Sequence, residues 1–216
     1  MFQMRQCQNE RCRFRFPVSA GDLDGATCPK CGSPTTVSGE PFSAHIPPEA
    51  DRTSGPRVEA LLDNIRSVFN VGAMFRTADG AGLRRLHLCG MTATPEHPRL
   101  AKTALGAEQV VPWSYYLNAL DAARQLKKQG AMLWALESAP GSESLFRAVP
   151  RAGSAPLILI VGNERAGIDP GLLSLCHRVL HIPMGGVKES LNVAIAFGVA
   201  AYYMRYAHAG LDIGYP

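Results

Sequence analysis

The chain has 216 residues, 46% of them hydrophobic and 19% charged, and a formal net charge of +4. That is the balance of a globular protein with a sizeable core: one medium domain, or one domain with a small appendage. The mild basicity permits a polyanionic partner without demanding one, and no stretch reaches the roughly 20 apolar residues that span a bilayer.

Residues 1–16 lack the apolar run of a secretory signal, so the sequence reads as cytoplasmic. Thiols stay reduced there, and paired cysteines point to a metal before they point to disulfides. Four of the six cysteines lie in residues 1–33. Cys7 and Cys12 form one pair, Cys28 and Cys31 a second, the latter in CPKCG, where Pro and Gly permit a tight turn. Two such pairs suit a structural Zn2+ with four thiolate ligands, and so small a region gains most of its stability from such a metal. The expectation is a zinc ribbon over residues 1–33. Arg5, Arg11, Arg13 and Arg15 surround Phe14 and Phe16. That grouping can hold phosphates and stack on bases, or equally fill a small core and face water. Residues 34–57 are rich in Pro, Ser and Gly and read as a linker.

From residue 58 strands and helices alternate. Residues 58–62 read as a strand. Residues 71–80 (VGAMFRTADG) have helical spacing, with Asn70 as the expected N-cap. Strands are expected at 85–89, 131–137 and 179–182, and a fully apolar one, LILIV, at 157–161. Helices are expected at 99–105 and 117–128, the latter closed by Gly130. A short one at 170–176 is opened by Asp169 as N-cap and Pro170. A long helix over 190–206 is apolar almost all round and is expected to be buried. Such alternation predicts an α/β fold with helices on both faces of a mostly parallel sheet.

Three segments place polar groups where a strand gives way to a loop or helix, the usual address of ligand sites in such folds. The first runs from Asn64 to Asp79 and includes Asn70, Gly72 and Arg76. The second, Gly162-Asn-Glu164-Arg-Ala-Gly167-Ile168, follows LILIV directly, and its Glu164 could pair with Arg76. The third is IPMGGVKESLNVAIAFGVAAYY, from Ile182. Capping explains Ser190 or Asn192 there, but not both. No phosphate-binding G-x-x-x-x-G-K-[ST] is present, and the absence of a dinucleotide-binding G-x-G-x-x-G disfavours a dinucleotide-dependent oxidoreductase.

Together NxGAxxRTA, GNExxGI and IPMxGxxxSLNVAxA resemble the three motifs of the SpoU (TrmH-type) RNA 2′-O-methyltransferase family of the SPOUT superfamily, over roughly residues 58–206. The resemblance implies a SPOUT-type parallel sheet with a carboxy-terminal trefoil knot, a homodimer, and S-adenosyl-L-methionine as methyl donor. The acceptor it implies is a ribose 2′-hydroxyl of tRNA or rRNA. Carried over position by position, it assigns the cofactor to Gly162, Ile182, Met184, Gly185 and Leu191. The catalytic set it assigns is Asn70, Arg76, Glu164, Ser190 and Asn192. Guanidinium keeps its proton, so Arg76 is expected to hold the acceptor phosphate and stabilise the developing alkoxide, oriented by Glu164. The rival expectations are a non-catalytic RNA-binding protein on the same fold and a SPOUT enzyme that methylates a base.

Overall fold

The computed structural model describes residues 1–21, 25–43, 55–150 and 155–207. The chain divides into two compact units, residues 1–50 and 51–216.

In the first unit, strands β1 (Phe2–Cys7), β2 (Arg15–Ser19) and β3 (Thr35–Val37) form an antiparallel sheet in the order β2-β1-β3. The β1–β2 turn is held by Asn9, whose carbonyl accepts the Cys12 and Arg13 N–H groups and whose side chain accepts that of Arg11. Gly32 follows the second cysteine pair at φ +72, the left-handed conformation that such a turn requires. The sheet reaches past residue 33. The β-branched run Thr35-Thr36-Val37 pairs with β1, so the stretch read as linker from residue 34 contributes a strand. Residues 44–54 of that stretch lie outside the described residues.

The second unit is a seven-stranded sheet. In chain order its elements are β4 (Val58–Asp63), α1 (Val68–Ala81), β5 (Leu86–Cys89), α2 (Ala101–Ala104), α3 (Ala107–Val110), β6 (Trp113–Tyr116) and α4 (Ala119–Lys128). There follow β7 (Met132–Leu136), β8 (Glu143–Ser144), β9 (Leu157–Val161), α5 (Pro170–Leu175), β10 (Arg178–His181) and α6 (Val193–Tyr206). The strand order is β6-β5-β4-β9-β7-β10-β8, and every neighbouring pair is parallel.

The central strands are buried on both faces, which is why β9 reads as a continuous apolar run and β4 is apolar apart from the buried acids Glu59 and Asp63. Alternate residues go to opposite layers. Ala60, Leu62, Leu159 and Val161 pack with Met74 and Phe75 of α1 and Phe197 and Met204 of α6. Leu61, Ile158 and Ile160 pack with Ala122 and Leu126 of α4 and Leu172 of α5. Phe75 and Phe197 are among the largest fully buried side chains. Truncating either to Ala costs about 3–5 kcal/mol.

Two helix starts differ from expectation by three residues. Helix α1 begins three residues early: Ser67 is its N-cap, and its side chain accepts the Asn70 N–H. Asn70 is therefore inside the first turn, where its side chain is released from capping. Helix α6 begins late. Asn192 is its N-cap, accepting from the Ala194 and Ile195 N–H groups, and Ser190 and Leu191 stay in the preceding loop. Nor is α6 buried all round, since Ile195, Tyr202 and Tyr206 are exposed. An apolar composition does not say whether a neighbour in the same chain covers each face. Asp169 and Pro170 open α5 as expected, and Gly130 follows α4 at φ +90. The edge strands β6 and β8 were not expected; WSYY is short and amphipathic, and β8 has two residues. Among the described residues no helix is long and apolar enough to cross a membrane.

Candidate active site and candidate metal centre

In the parallel sheet the loops that follow β7, β9 and β10 gather at the carboxyl ends of the strands. They enclose a cavity of about 480 Å³, within the range that suits a drug-sized ligand. Its walls include Leu136, Glu137, Gly162, Glu164, Ile182, Met184, Ser190, Leu191 and Asn192. Gly162 is irreplaceable by geometry: a Cβ there would lie 2.4 Å from the Gly167 carbonyl oxygen. The turn between them is closed by reciprocal backbone hydrogen bonds of Asn163 and Gly167. Asn163 also donates its side-chain amide to the Asn64 carbonyl, tying the β9 loop to the end of β4.

Glu164 anchors the site. One carboxylate oxygen accepts the Arg66 N–H at 2.9 Å; the other accepts the Ser67 N–H at 3.0 Å and the Asn70 side-chain amide at 2.9 Å. Burial alone would raise its pKa, but these donors more than offset that and hold it below the ordinary carboxylate value. Asn192 then donates its amide to the Asn70 Oδ1 at 3.3 Å. Both amides are thereby fixed in orientation. Asn70 Nδ2 points to Glu164 and its oxygen to Asn192, while the Asn192 oxygen caps α6.

Of the ten expected ligand and catalytic positions, Gly162, Ile182, Met184, Leu191, Glu164, Ser190 and Asn192 line the cavity. Asn70 joins it through its bonds to Glu164 and Asn192. Gly185 is in the same loop but not in the wall, and a Cβ there would meet nothing within 4 Å. Arg76 does not join. It is exposed and borders a separate cleft with Thr77, Lys102, Thr103 and Tyr202. Glu164 is not its partner, because the backbone at the start of α1 occupies that carboxylate. Helical geometry carries the reason: six residues advance roughly 9 Å and leave the two side chains about 120° apart around the axis. Glu137, Arg165 and His181 also line the cavity and were not singled out from the sequence. The position of Glu137 directly after a buried parallel strand was the available signal.

In the first unit the Sγ atoms of Cys7, Cys12, Cys28 and Cys31 lie within 4.8 Å of one another. Cys7 and Cys31 are 3.5 Å apart, and Cys12 and Cys28 3.9 Å. A tetrahedral Zn2+ with bonds near 2.3 Å places its sulfurs roughly 3.8 Å apart, so the donor set fits the ion in number, type and spacing. Hydrogen bonds from the Ser33 side chain and backbone lower the Cys31 thiol to about 6, while burial pushes the neighbouring Cys7 thiol up to about 12.

Comparison with known proteins agrees with this geometry. Residues 57–202 match the SpoU rRNA Methylase family. The chain is similar to the 23S rRNA (guanosine(2553)-2′-O)-methyltransferase RlmP of Bacillus subtilis, with 33% identity over 74% of this chain and 62% of that protein. It thus spans less than two thirds of this relative's length. An AdoMet-bound rRNA methyltransferase from Sinorhizobium meliloti superposes with a TM-score of 0.64 at 29% identity, over 73% of this chain and 59% of that one. A structure described as giving insights into 2-OH methylation of C/U34 on tRNA superposes with a TM-score of 0.61 at 31% identity, over 73% of this chain and 94% of that one. By its sheet, its three motifs and this match, the chain belongs to the SpoU rRNA Methylase family.

Proposed function

We propose that the second unit is an RNA ribose 2′-O-methyltransferase that uses S-adenosyl-L-methionine. The observation that carries this reading is the hydrogen-bonded chain Glu164–Asn70–Asn192 beside a cavity of nucleoside size walled by Gly162, Ile182, Met184 and Leu191. Bare backbone at Gly162 and apolar walls fit an adenosine, and the bound donor supplies the methyl group.

The residues of the chain then have separate tasks. Gly162, Ile182, Met184 and Leu191 bind the nucleoside, with the Gly185 loop beside them. Glu164 is a clamp, not a base, because its oxygens are occupied and its pKa is low. Asn70 and Asn192 present fixed amide groups at the cavity edge, and the exposed Ser190 hydroxyl orients the acceptor. Arg76 with Lys102 holds the phosphate backbone of the RNA in the separate cleft that they line. A ribose hydroxyl is weakly acidic, so alignment and electrostatic stabilisation of the alkoxide dominate the work.

The unit carries the trefoil knot of its family and pairs with a second copy through the apolar side chains that α6 exposes. Cys7, Cys12, Cys28 and Cys31 hold a structural Zn2+ in an amino-terminal ribbon. The protein works in the cytoplasm, which suits its reduced cysteines. Its substrate is rRNA or tRNA, the two classes that the names of its relatives contain.

The test is incubation of the purified protein with labelled S-adenosyl-L-methionine and either rRNA or tRNA, then digestion to nucleosides and mass spectrometry. A 2′-O-methylnucleoside supports the reading; a base-methylated nucleoside supports a SPOUT base methyltransferase. Cofactor binding without transfer to either RNA counts against this activity.

A further inference from the structure

Glu137 is a carboxylate that the site does not yet use. It stands directly after β7, at the carboxyl end of a buried strand, and its N–H is fixed by the Leu180 carbonyl at 2.8 Å. One oxygen, Oε2, accepts the Ile168 N–H at 2.9 Å. Among the described residues the other oxygen, Oε1, has no donor. The group is half-buried in the cavity wall. It lies against Gly167, where φ is +74 and a Cβ would come within 2.7 Å of Oε2. A side chain at that glycine would displace the carboxylate, so bare backbone is the condition for its placement.

The other acids of the cavity are unlike it. Glu164 has both oxygens occupied, and Glu189 is exposed in the loop before Ser190. Among the described acids of the cavity, Glu137 is the half-buried one with an oxygen that accepts no hydrogen bond. Leaving it unmatched by a ligand donor would cost binding free energy.

We propose that Glu137 is a specificity-determining residue that accepts the ribose hydroxyls of the nucleoside bound in this cavity. The inference rests on the reading of the cavity as the S-adenosyl-L-methionine site. An ammonium group is the rival occupant: it carries three donors and would need two further acceptors from a wall that also holds Ser138 and His181. A vicinal diol needs one strong acceptor and can turn its remaining capacity to backbone groups. Carboxylates recognise ribose in the same manner in dinucleotide-binding folds.

The experiment is calorimetric binding to the full-length protein. The probes are S-adenosyl-L-methionine, 5′-methylthioadenosine, which lacks the amino-acid portion, and the 2′-deoxy and 3′-deoxy forms of the latter. The wild type should bind methylthioadenosine about tenfold more tightly than at least one deoxy form, the size expected for a charge-assisted hydrogen bond. Glu137→Gln keeps an acceptor for the Ile168 N–H and should remove that discrimination with an unchanged thermal midpoint. Equal binding of ribo and both deoxy forms by the wild type overturns the inference whether or not the variant folds. So does a Glu137→Gln variant that loses affinity for S-adenosyl-L-methionine but not for methylthioadenosine, since that assigns the carboxylate to the ammonium. A wild type that binds methylthioadenosine with ribose discrimination but not S-adenosyl-L-methionine sinks the cofactor reading alone. Absence of binding to every probe sinks both.

Discussion

Asn192 donates its side-chain amide to the Asn70 oxygen at 3.3 Å, joining the first turns of two helices whose residues are 122 positions apart. The bond gives both residues more than a local role. Asn70 is held from the other side by Glu164, so a displacement of any one of the three is passed to the others.

Replacing Asn192 with Ala removes a helix N-cap and this link together. Loss of the cap costs about 1 kcal/mol. The expected result is a modest fall in thermal midpoint with a fall in single-turnover methyl transfer of at least about tenfold, the size of one lost positioning contact. Wild-type turnover in a folded variant would show that the link has no part in catalysis.

Glu164 gives a pH signature. Its pKa is depressed in the folded state from an ordinary value of 4.5, so its stabilisation is present above that pH and is lost as pH falls through the folded value. Glu164→Gln should lower the thermal midpoint at pH 7, and the gap to wild type should narrow progressively below pH 4.5. A gap that stays constant on acidification would mean that the carboxylate charge is not what holds the start of α1.

Gly162→Ala places a methyl 2.4 Å from the Gly167 carbonyl. Relief must come from moving the turn that walls the cavity. The expected outcomes are a destabilisation of about 1–3 kcal/mol in chemical denaturation and loss of nucleoside binding by calorimetry. Undiminished binding would place the ligand elsewhere.

Arg76 lies outside the cavity, so Arg76→Ala should leave S-adenosyl-L-methionine affinity unchanged and raise the KM for RNA. The salt dependence of RNA binding should become shallower as one phosphate contact is lost. A drop in cofactor affinity instead would assign Arg76 to the donor.

Chelation of the thiolate cluster tests the metal. The purified protein should contain one zinc per chain, and its removal should collapse the amide dispersion of residues 1–43 in NMR spectra. A protein that keeps that dispersion with no metal bound would show a ribbon that needs none.

Much of this was readable in the chain. LILIV reads as a strand buried on both faces and is one, and Cys-x4-Cys with Cys-x2-Cys, read as the ligands of one ion, brings its four sulfurs within 4.8 Å of one another. The motifs around Asn70, Glu164 and Asn192 were brought together as expected. What escaped depended on tertiary approach. Ser67 and Asn70 are both good caps, and spacing alone does not say which one the chain uses. Opposite charge makes Arg76 a natural partner for Glu164 in the sequence, but two backbone N–H groups from a segment 97 and 98 residues away reach the carboxylate instead. The helical wheel already separated Arg76 from Asn70 and could have warned against the pairing. Glu137 is a lone acid after a strand and carries no motif.

Delivery of a methyl group from the cavity beside Asn70 and Asn192 to a ribose oxygen is tested most directly by alkaline hydrolysis of RNA labelled by the purified protein, because a 2′-O-methyl group blocks cleavage at its own nucleotide. Label recovered in an alkali-resistant dinucleotide is the predicted result. Label recovered in mononucleotides would contradict it.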